Sequence, residues 1–253
     1  MLSPVSISGQ RLVKYCDAEG IPVLQTKSVR TKEFLGHFDG LQFDLIISAH
    51  FQRILPRELF SKARLGAVNL HPSLLPKYRG MSPQHWPIVL GEVETGVTVH
   101  LIDEGVDTGN ILRQESIVLK CDTYIHELQK MLLTVYQTIM VDAVGQLIRG
   151  DRGCVQSSVD VPYFGKLTEE DVEISLDAGV NKAYGMIRAF SYPYQGAHFE
   201  QLRIMKAVPA SNKVLRQIKD YPNTLGIWRN NEKTFLVFTD GVLELTKWKK
   251  YEK

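Results

Sequence analysis

Hydrophobic and polar positions change period several times along the chain. Between Gly9 and Gly20, Leu12, Val13 and Cys16 fall on one helical face, and Pro22–Thr26 reads as a short strand. Asp44–Ala49 is a continuous apolar run, the pattern of a strand buried on both faces of a parallel sheet. Pro56–Ala63 reads as a short helix with proline at its first position. Ala67–His71 is a second buried strand, and Thr95–Asp103 alternates as a longer one. Strands alternating with helices predict an α/β fold: a Rossmann-like, doubly wound, mostly parallel sheet.

A long helix follows over about Thr123–Arg149. Leu128, Met131, Leu132, Val135 and Ile139 are at helical spacing, and Gly150 is placed to end it. Residues 150–165 are polar and contain Gly, Ser and Pro162, which predicts a linker. Beyond it, Thr168 and Asp171 approximate a capping box, and Val180, Ala183, Tyr184 and Ile187 form one helical stripe. Thr234–Thr239, Asp240-Gly241 and Val242–Thr246 predict a hairpin on a two-residue turn, and Asn230-Asn231 is a second turn candidate. The division is therefore a core over 1–149, a linker over 150–165 and a small helix-plus-antiparallel-strand unit over 166–253. Phe235 and Val237 alternate with Leu236 and Phe238, so both faces of the hairpin are apolar. Two covers are then needed, and a second copy of the chain is expected to supply one, making a homodimer.

Composition narrows the class. The chain has 253 residues, 44% hydrophobic and 23% charged, which is a globular balance with enough length for a core without staples. No uninterrupted apolar run approaches the roughly 18 residues of a membrane span, and residues 1–10 lack a basic patch before an apolar stretch, which argues against a secretory leader. Cys16, Cys121 and Cys154 are odd in number and far apart, so neither a disulfide framework nor a CxxC metal site is indicated. A cytoplasmic, metal-free protein is expected. Net charge is +2, but residues 201–253 hold eleven Lys/Arg against five Asp/Glu. Lys247, Lys249, Lys250 and Lys253 cluster at the end, where a solvated tail is the economical reading and nucleic acid is not an expected partner.

The chemistry-bearing stretches are Asn69–Gly80 and Thr95–Gly109. Asn69 and His71 are two apart at the end of a strand and point to one face; ligands of doubly wound sheets bind at such strand ends. Asp107 follows the next strand in a Gly-rich loop, within reach of the same crevice. An amide, an imidazole and a carboxylate meeting there make an acyl-transfer site: the amide donates to an oxyanion, the imidazole moves a proton, and the carboxylate orients the imidazole. There is no G-x-S-x-G elbow for Ser73, no G-x-G-x-x-G or P-loop, and no H-E-x-x-H.

Asn69, His71, Ser73-Leu-Leu-Pro76, Gly80, Thr95-Gly-Val-Thr98 and Asp103–Gly109 closely resemble the 10-formyltetrahydrofolate-dependent formyltransferase family. The likeness runs specifically from about Asp44 to Arg149. It continues more weakly through Lys166–Asp171 and Ile187–Phe190 to Pro193–Ala197. The resemblance implies that Asn69, His71 and Asp107 are the catalytic trio. It implies that Arg53, Ile54 and Leu55, with the loop Asp103, Glu104, Gly105 and Val106, hold the pterin ring of 10-formyltetrahydrofolate. Family members open with a strand before the first helix, and residues 1–7 here carry little strand pattern, so either that strand is missing or the start of the sequence falls late in the family pattern.

The extension bears on the acceptor. Glycinamide ribonucleotide formyltransferases resemble the core alone; methionyl-tRNA formyltransferases carry a larger C-terminal barrel and a basic insertion. The compact unit here and the loop Tyr78–Trp86 are most similar to the nucleotide-sugar N-formyltransferases. An amino-sugar nucleotide is the expected acceptor, its diphosphate near Lys77 and Arg79, its base on Trp86, Tyr192 or Tyr194, and Tyr78 also among the residues that bind it. A methionyl-tRNA or glycinamide ribonucleotide acceptor, and a folate-binding homologue without turnover, are the alternatives.

Overall fold

A computed structural model describes residues 7–51, 53–157, 161–219, 221, 223–230 and 233–250. Residues 1–6, where the missing strand was expected, lie outside them, as do Asn231 and Lys253. The first half contains α1 (Ile7–Ala18), α2 (Lys32–Gly36), β1 (Ile46–Ala49), α3 (Arg57–Phe60), β2 (Ala67–His71), β3 (Arg79–Gly80), α4 (Trp86–Val89), β4 (Glu94–Leu101), β5 (Ile111–Val118) and α5 (Ile125–Ile148). The second half contains β6 (Tyr163–Phe164), α6 (Gly179–Ala189), β7 (Ala197–Phe199), β8 (Leu202–Pro209), α7 (Asn212–Leu215), β9 (Gly226–Arg229), β10 (Thr234–Phe238) and β11 (Gly241–Lys250). Two compact units interleave: Met1–His71 with Thr98–Arg113 and Met140–Ser158, and Pro72–Val97 with Gln114–Ile139 and Val159–Lys253. Compactness therefore divides the chain differently from the linear division read from its sequence.

The first unit holds β1, β2, residues 98–101 of β4 and residues 111–113 of β5, strands of a sheet of order β1-β2-β4-β5. β1 and β2 run parallel with Ser48 opposite Asn69, whereas β2 and β4 run antiparallel with Asn69 opposite His100 and His71 opposite Thr98. The sheet is mixed. Among the described residues β1 is its edge strand, and the expectation of burial on both faces fails there: Ile47 is 53% exposed. Pro22–Thr26 forms no strand beyond an isolated bridge at Leu24. Thr26 Oγ1 donates to Ser28 O and accepts from Ser28 N, which bends the chain just past it. α2 starts where Thr31 accepts a hydrogen bond from Phe34 N at 3.2 Å. Phe34 then packs with Val29, Leu55 and Leu59, a core in which each fully buried side chain contributes about 2 kcal/mol.

Residues 150–157 are not a free linker. Ile111 and Cys154 exchange two backbone hydrogen bonds of 2.8 and 2.9 Å, because the start of β5 presents unpaired groups that this segment satisfies. Upstream, α5 is long and apolar enough by length and composition to cross a membrane. Its stripe Leu128, Leu132, Val135, Ile139, Ala143 and Leu147 is buried, however, and Glu127, Lys130 and Asp142 face outward, the pattern of a core helix. The Glu127 carboxylate accepts from Tyr124 N at 2.7 Å and closes the first turn, and Gly150 at φ 87° follows its end.

The second unit carries a five-stranded antiparallel sheet of order β7-β8-β11-β10-β9. Thr168 and Asp171 do form a reciprocal cap, Asp171 Oδ2 accepting from Thr168 N at 2.7 Å, but on a 3-10 turn rather than a long helix. Between β10 and β11 Phe238 is paired with Gly241, so the turn residues are Thr239-Asp240 rather than Asp240-Gly241. The Asp240 carboxylate is drawn to the start of α6, accepting from Val180 N at 2.9 Å, and this fixes the shifted turn. Phe235, Leu236, Val237 and Phe238 are all fully buried. Val214, Leu215, Ile218, Tyr221 and Trp228 cluster with Phe235 and Val237, while α6 packs on the sheet through β8, β10 and β11. Both covers come from the chain itself. The apolar faces that argued for a homodimer are thus already occupied.

Candidate active site

Three adjacent strands set the site through residues of the first unit. The registers place Ser48, Asn69 and His100 in one row across β1, β2 and β4, with His71 beside Thr98 one pleat further on. Polar side chains on this face lie next to one another because opposite residues of neighbouring strands do. The loop after β4 then folds back. Asp103 Oδ1 accepts from Gly105 N at 3.0 Å and from Thr108 Oγ1 at 2.6 Å, which tightens its start. Gly109 lies against the carbonyl of Leu101, where a Cβ would not fit. Gln156 Nε2 donates to the carbonyls of Asp107 at 2.9 Å and Gly109 at 2.8 Å. Asp107 is held at φ 55°, the left-handed region, and its carboxylate is turned inward with 11% exposure.

Asn69, His71 and Asp107 therefore meet, as their spacing predicts. His71 Nδ1 is 3.5 Å from Asp107 Oδ2, and its side chain is 4% exposed. Asn69 Nδ2 is 3.5 Å from Asp107 Oδ1. His100, passed over in the sequence, completes the group: its Nε2 is 3.2 Å from Asn69 Nδ2 and 3.4 Å from Asp107 Oδ1. Ser48 Oγ donates to Asn69 Oδ1 at 2.9 Å. The cluster offers an amide donor, a buried imidazole beside a carboxylate, and low dielectric around both. Among the described residues no group of three or more His, Cys, Asp or Glu is arranged to hold a metal ion.

A cleft of about 360 Å³ in the same unit is lined by Ile54, Leu55, Asp103 and Glu104, together with Arg30, Arg57 and Phe60. Four of the seven residues expected at the pterin thus line one cavity of ligand size. Leu55 is also core, in contact with the Phe34 cluster, whereas Ile54 is 57% exposed. Arg57 forms an ion pair with Glu104 at the cleft. Asp103 is occupied in holding its own loop, and Gly105, where a Cβ would meet Thr108, gives that loop its tightness. Arg53, Gly105 and Val106 are not among the lining residues.

The residues expected at the acceptor belong to the second unit, except that their roles differ. Tyr78 is buried, its ring 5.4 Å from that of Phe164 and its hydroxyl donating to Glu92 at 2.8 Å; burial and Glu92 push its pKa well up. Its ring and its hydroxyl are thus both engaged within the unit. Lys77 stays exposed with Nζ 3.5 Å from Glu92, and Arg79 pairs through the backbone with Tyr163. Trp86 packs on Phe164 at 4.9 Å, and its buried Nε1 has no partner among the described residues. The Tyr194 hydroxyl accepts from Gln84 and Gln129 at 3.0 and 3.1 Å, and burial raises its pKa. His85 lies between Phe190 and Tyr194, and burial lowers its pKa to about 4. Tyr192 alone of the three aromatics is broadly exposed, at 69%.

Residues 7–144, more than half of the chain, match the formyl transferase family: the protein belongs to it. The methionyl-tRNA formyltransferase of Lysinibacillus sphaericus (strain C3-41) is 33% identical over 180 residues, covering 71% of this chain and 57% of that protein. The chain thus spans less than two thirds of this relative's length. In fold it is similar to HypX from Aquifex aeolicus in complex with tetrahydrofolic acid, with a TM-score of 0.67 at 19% identity over 100% of this chain and 44% of that one. It is also similar to the N-formyltransferase from Helicobacter canadensis in complex with folinic acid and dTDP-3-aminofucose. There the TM-score is 0.61 at 19% identity, over 99% of this chain and 98% of that one.

Proposed function

We propose that the protein transfers a formyl group from 10-formyltetrahydrofolate to the amine of a nucleotide-linked amino sugar. The observation that carries the transfer reading is the convergence of Asn69, His71 and Asp107 on one buried strand end. The neutral acceptor amine attacks the formyl carbon, a C–N bond forms, and the carbonyl oxygen becomes an oxyanion. Asn69 Nδ2 and protonated His71 donate to that oxygen, and Asp107 keeps His71 charged and takes the ammonium proton. Collapse breaks the bond to N10 of the folate, which leaves with a proton. Losing one such donor costs about 2.7–4 kcal/mol of barrier, or roughly 100–1,000-fold in rate.

The sugar acceptor is supported by an end-to-end likeness in fold to the Helicobacter canadensis N-formyltransferase, which was solved with dTDP-3-aminofucose. A second reading, methionyl-tRNA as acceptor, is favoured by the name of the Lysinibacillus relative. The test offers 10-formyltetrahydrofolate with dTDP-3-aminofucose, other 3- and 4-amino nucleotide sugars, or methionyl-tRNA, and follows tetrahydrofolate release. Turnover with an amino sugar only supports the first reading; turnover with methionyl-tRNA only replaces it with the second. Release with neither acceptor class overturns the transferase reading.

A further inference from the structure

We propose that Ser48 and His100 are positioning residues that lock the Asn69 carboxamide with its NH2 edge toward Asp107, an inference that rests on the formyl-transfer reading above. The lock follows from counting donors and acceptors. His100 Nδ1 is 2.8 Å from the carbonyl oxygen of Leu101, which only accepts, so Nδ1 carries a proton; Nε2, which faces Asn69 Nδ2 at 3.2 Å and Asp107 Oδ1 at 3.4 Å, then takes the amide N–H on its lone pair. The Asp107 carboxylate also only accepts. Asn69 thus faces two acceptors on one edge, Nε2 of His100 at 3.2 Å and Oδ1 of Asp107 at 3.5 Å, and only its NH2 group satisfies both. Turned over, the amide would set its own oxygen against them.

Ser48 holds the opposite edge. Its hydroxyl donates to Asn69 Oδ1 at 2.9 Å, and Ser48 and His100 are 7% and 2% exposed, so neither bond is shared with bulk water. A hydroxyl serves either amide orientation, so His100 decides the orientation and Ser48 fastens it. The register makes this possible, since Ser48, Asn69 and His100 stand opposite one another on three strands. The consequence is chemical. An amide stabilises an oxyanion through one edge alone, and a mixed population of orientations would present an oxygen to the reacting group for part of the time. Of the two N–H bonds, the longer one, to Asp107, is the one an oxyanion would displace.

Steady-state kinetics with 10-formyltetrahydrofolate and dTDP-3-aminofucose test this on the full chain, with melting temperature as the folding control. Ser48→Ala is expected to lower kcat roughly 3- to 10-fold, the size of one neutral hydrogen bond, with both KM values unchanged. Ser48→Thr, which keeps the hydroxyl, is expected to restore most of it. His100→Phe is expected to lower kcat roughly 100-fold. In an Asn69→Ala background both losses are expected to vanish, because both residues act through that amide. Full additivity with Asn69→Ala, or a loss confined to KM, overturns the proposal. A second readout needs no acceptor: the Asn69 side-chain amide protons, observed by 15N NMR, are expected to exchange slowly and to lose that protection in His100→Phe. If the unaltered protein transfers no formyl group to any acceptor yet shows this signature, the transfer reading falls and the lock stands. If it turns over and the amide signals are indifferent to both substitutions, the lock falls alone.

Discussion

Gln156 is the residue whose removal most directly tests how Asp107 is presented. Gln156→Leu keeps the volume and deletes both donors, leaving the carbonyls of Asp107 and Gly109 without the 2.9 and 2.8 Å bonds they accept now. Gln156 is 7% exposed, so water does not readily replace it. A neutral hydrogen bond is worth about 0.5–1.5 kcal/mol net, and a buried acceptor left unmade costs about 1–3 kcal/mol. Two partly buried carbonyls then put the loss at about 2–4 kcal/mol, equivalent to roughly 4–16 °C in melting temperature at this size. The kinetic effect has a separate origin. Asp107 sits at φ 55°, a conformation that survives in a non-glycine residue only when its surroundings hold it. With Gln156 gone the loop relaxes, the carboxylate moves off His71 Nδ1, and kcat is expected to fall at least 10-fold. Differential scanning fluorimetry and the folate-release assay read the two effects. A Gln156→Leu protein that melts within 2 °C of the parent and keeps its kcat refutes the argument.

Other substitutions probe the remaining parts. His71→Asn and Asp107→Asn are each expected to cut kcat roughly 100-fold or more while tetrahydrofolate binding survives, and near-normal turnover in either removes the catalytic assignment. His85 has its folded-state pKa lowered by burial from 6.5 to about 4, so its neutral form is favoured and the unfolded chain takes up the proton first. Stability from this group is complete above pH 6.5 and is lost as pH falls through 6.5 to about 4, by about 3 kcal/mol; His85→Phe is expected to flatten the melting-temperature profile in that window, and an unchanged profile sinks the assignment. Gly185→Ala would set a Cβ 2.6 Å from the Val89 carbonyl where α6 meets α4, and is expected to cost about 1–3 kcal/mol in urea denaturation; a neutral effect would show that the helices have room to part.

Much of the fold was legible where one local rule decided the outcome. Ala67–His71 is a strand with the expected bounds, and the buried positions of α5 repeat at helical spacing from Leu128 to Leu147. The misses have non-local causes. The apolar run at Asp44–Ala49 looked like a central strand, yet whether such a run is central or at an edge depends on which strands flank it. The hairpin turn moved by one residue because the Asp240 side chain is claimed by α6, sixty positions earlier in the chain. The argument from β10 to a homodimer loses its premise for a similar reason: the apolar faces of β10 were visible in the sequence, but the chain segments that cover them were not.

The site divides along the same line. Asn69, His71 and Asp107 could be found because a strand fixes the first two on one face and a glycine-rich loop brings the third back. Ser48, His100 and Gln156 could not be found by that reasoning, since each acts across an alignment that only register creates. One signal was present. On β4, Thr98 and His100 are polar at alternate positions among Val97, Val99 and Leu101, in a strand that is almost wholly buried. A buried strand face bearing two polar residues must find partners for them, and Asn69 with His71 on β2 has the same requirement. Matching two such faces would have paired the strands before any coordinate was known, and would have set His100 against the Asn69 amide.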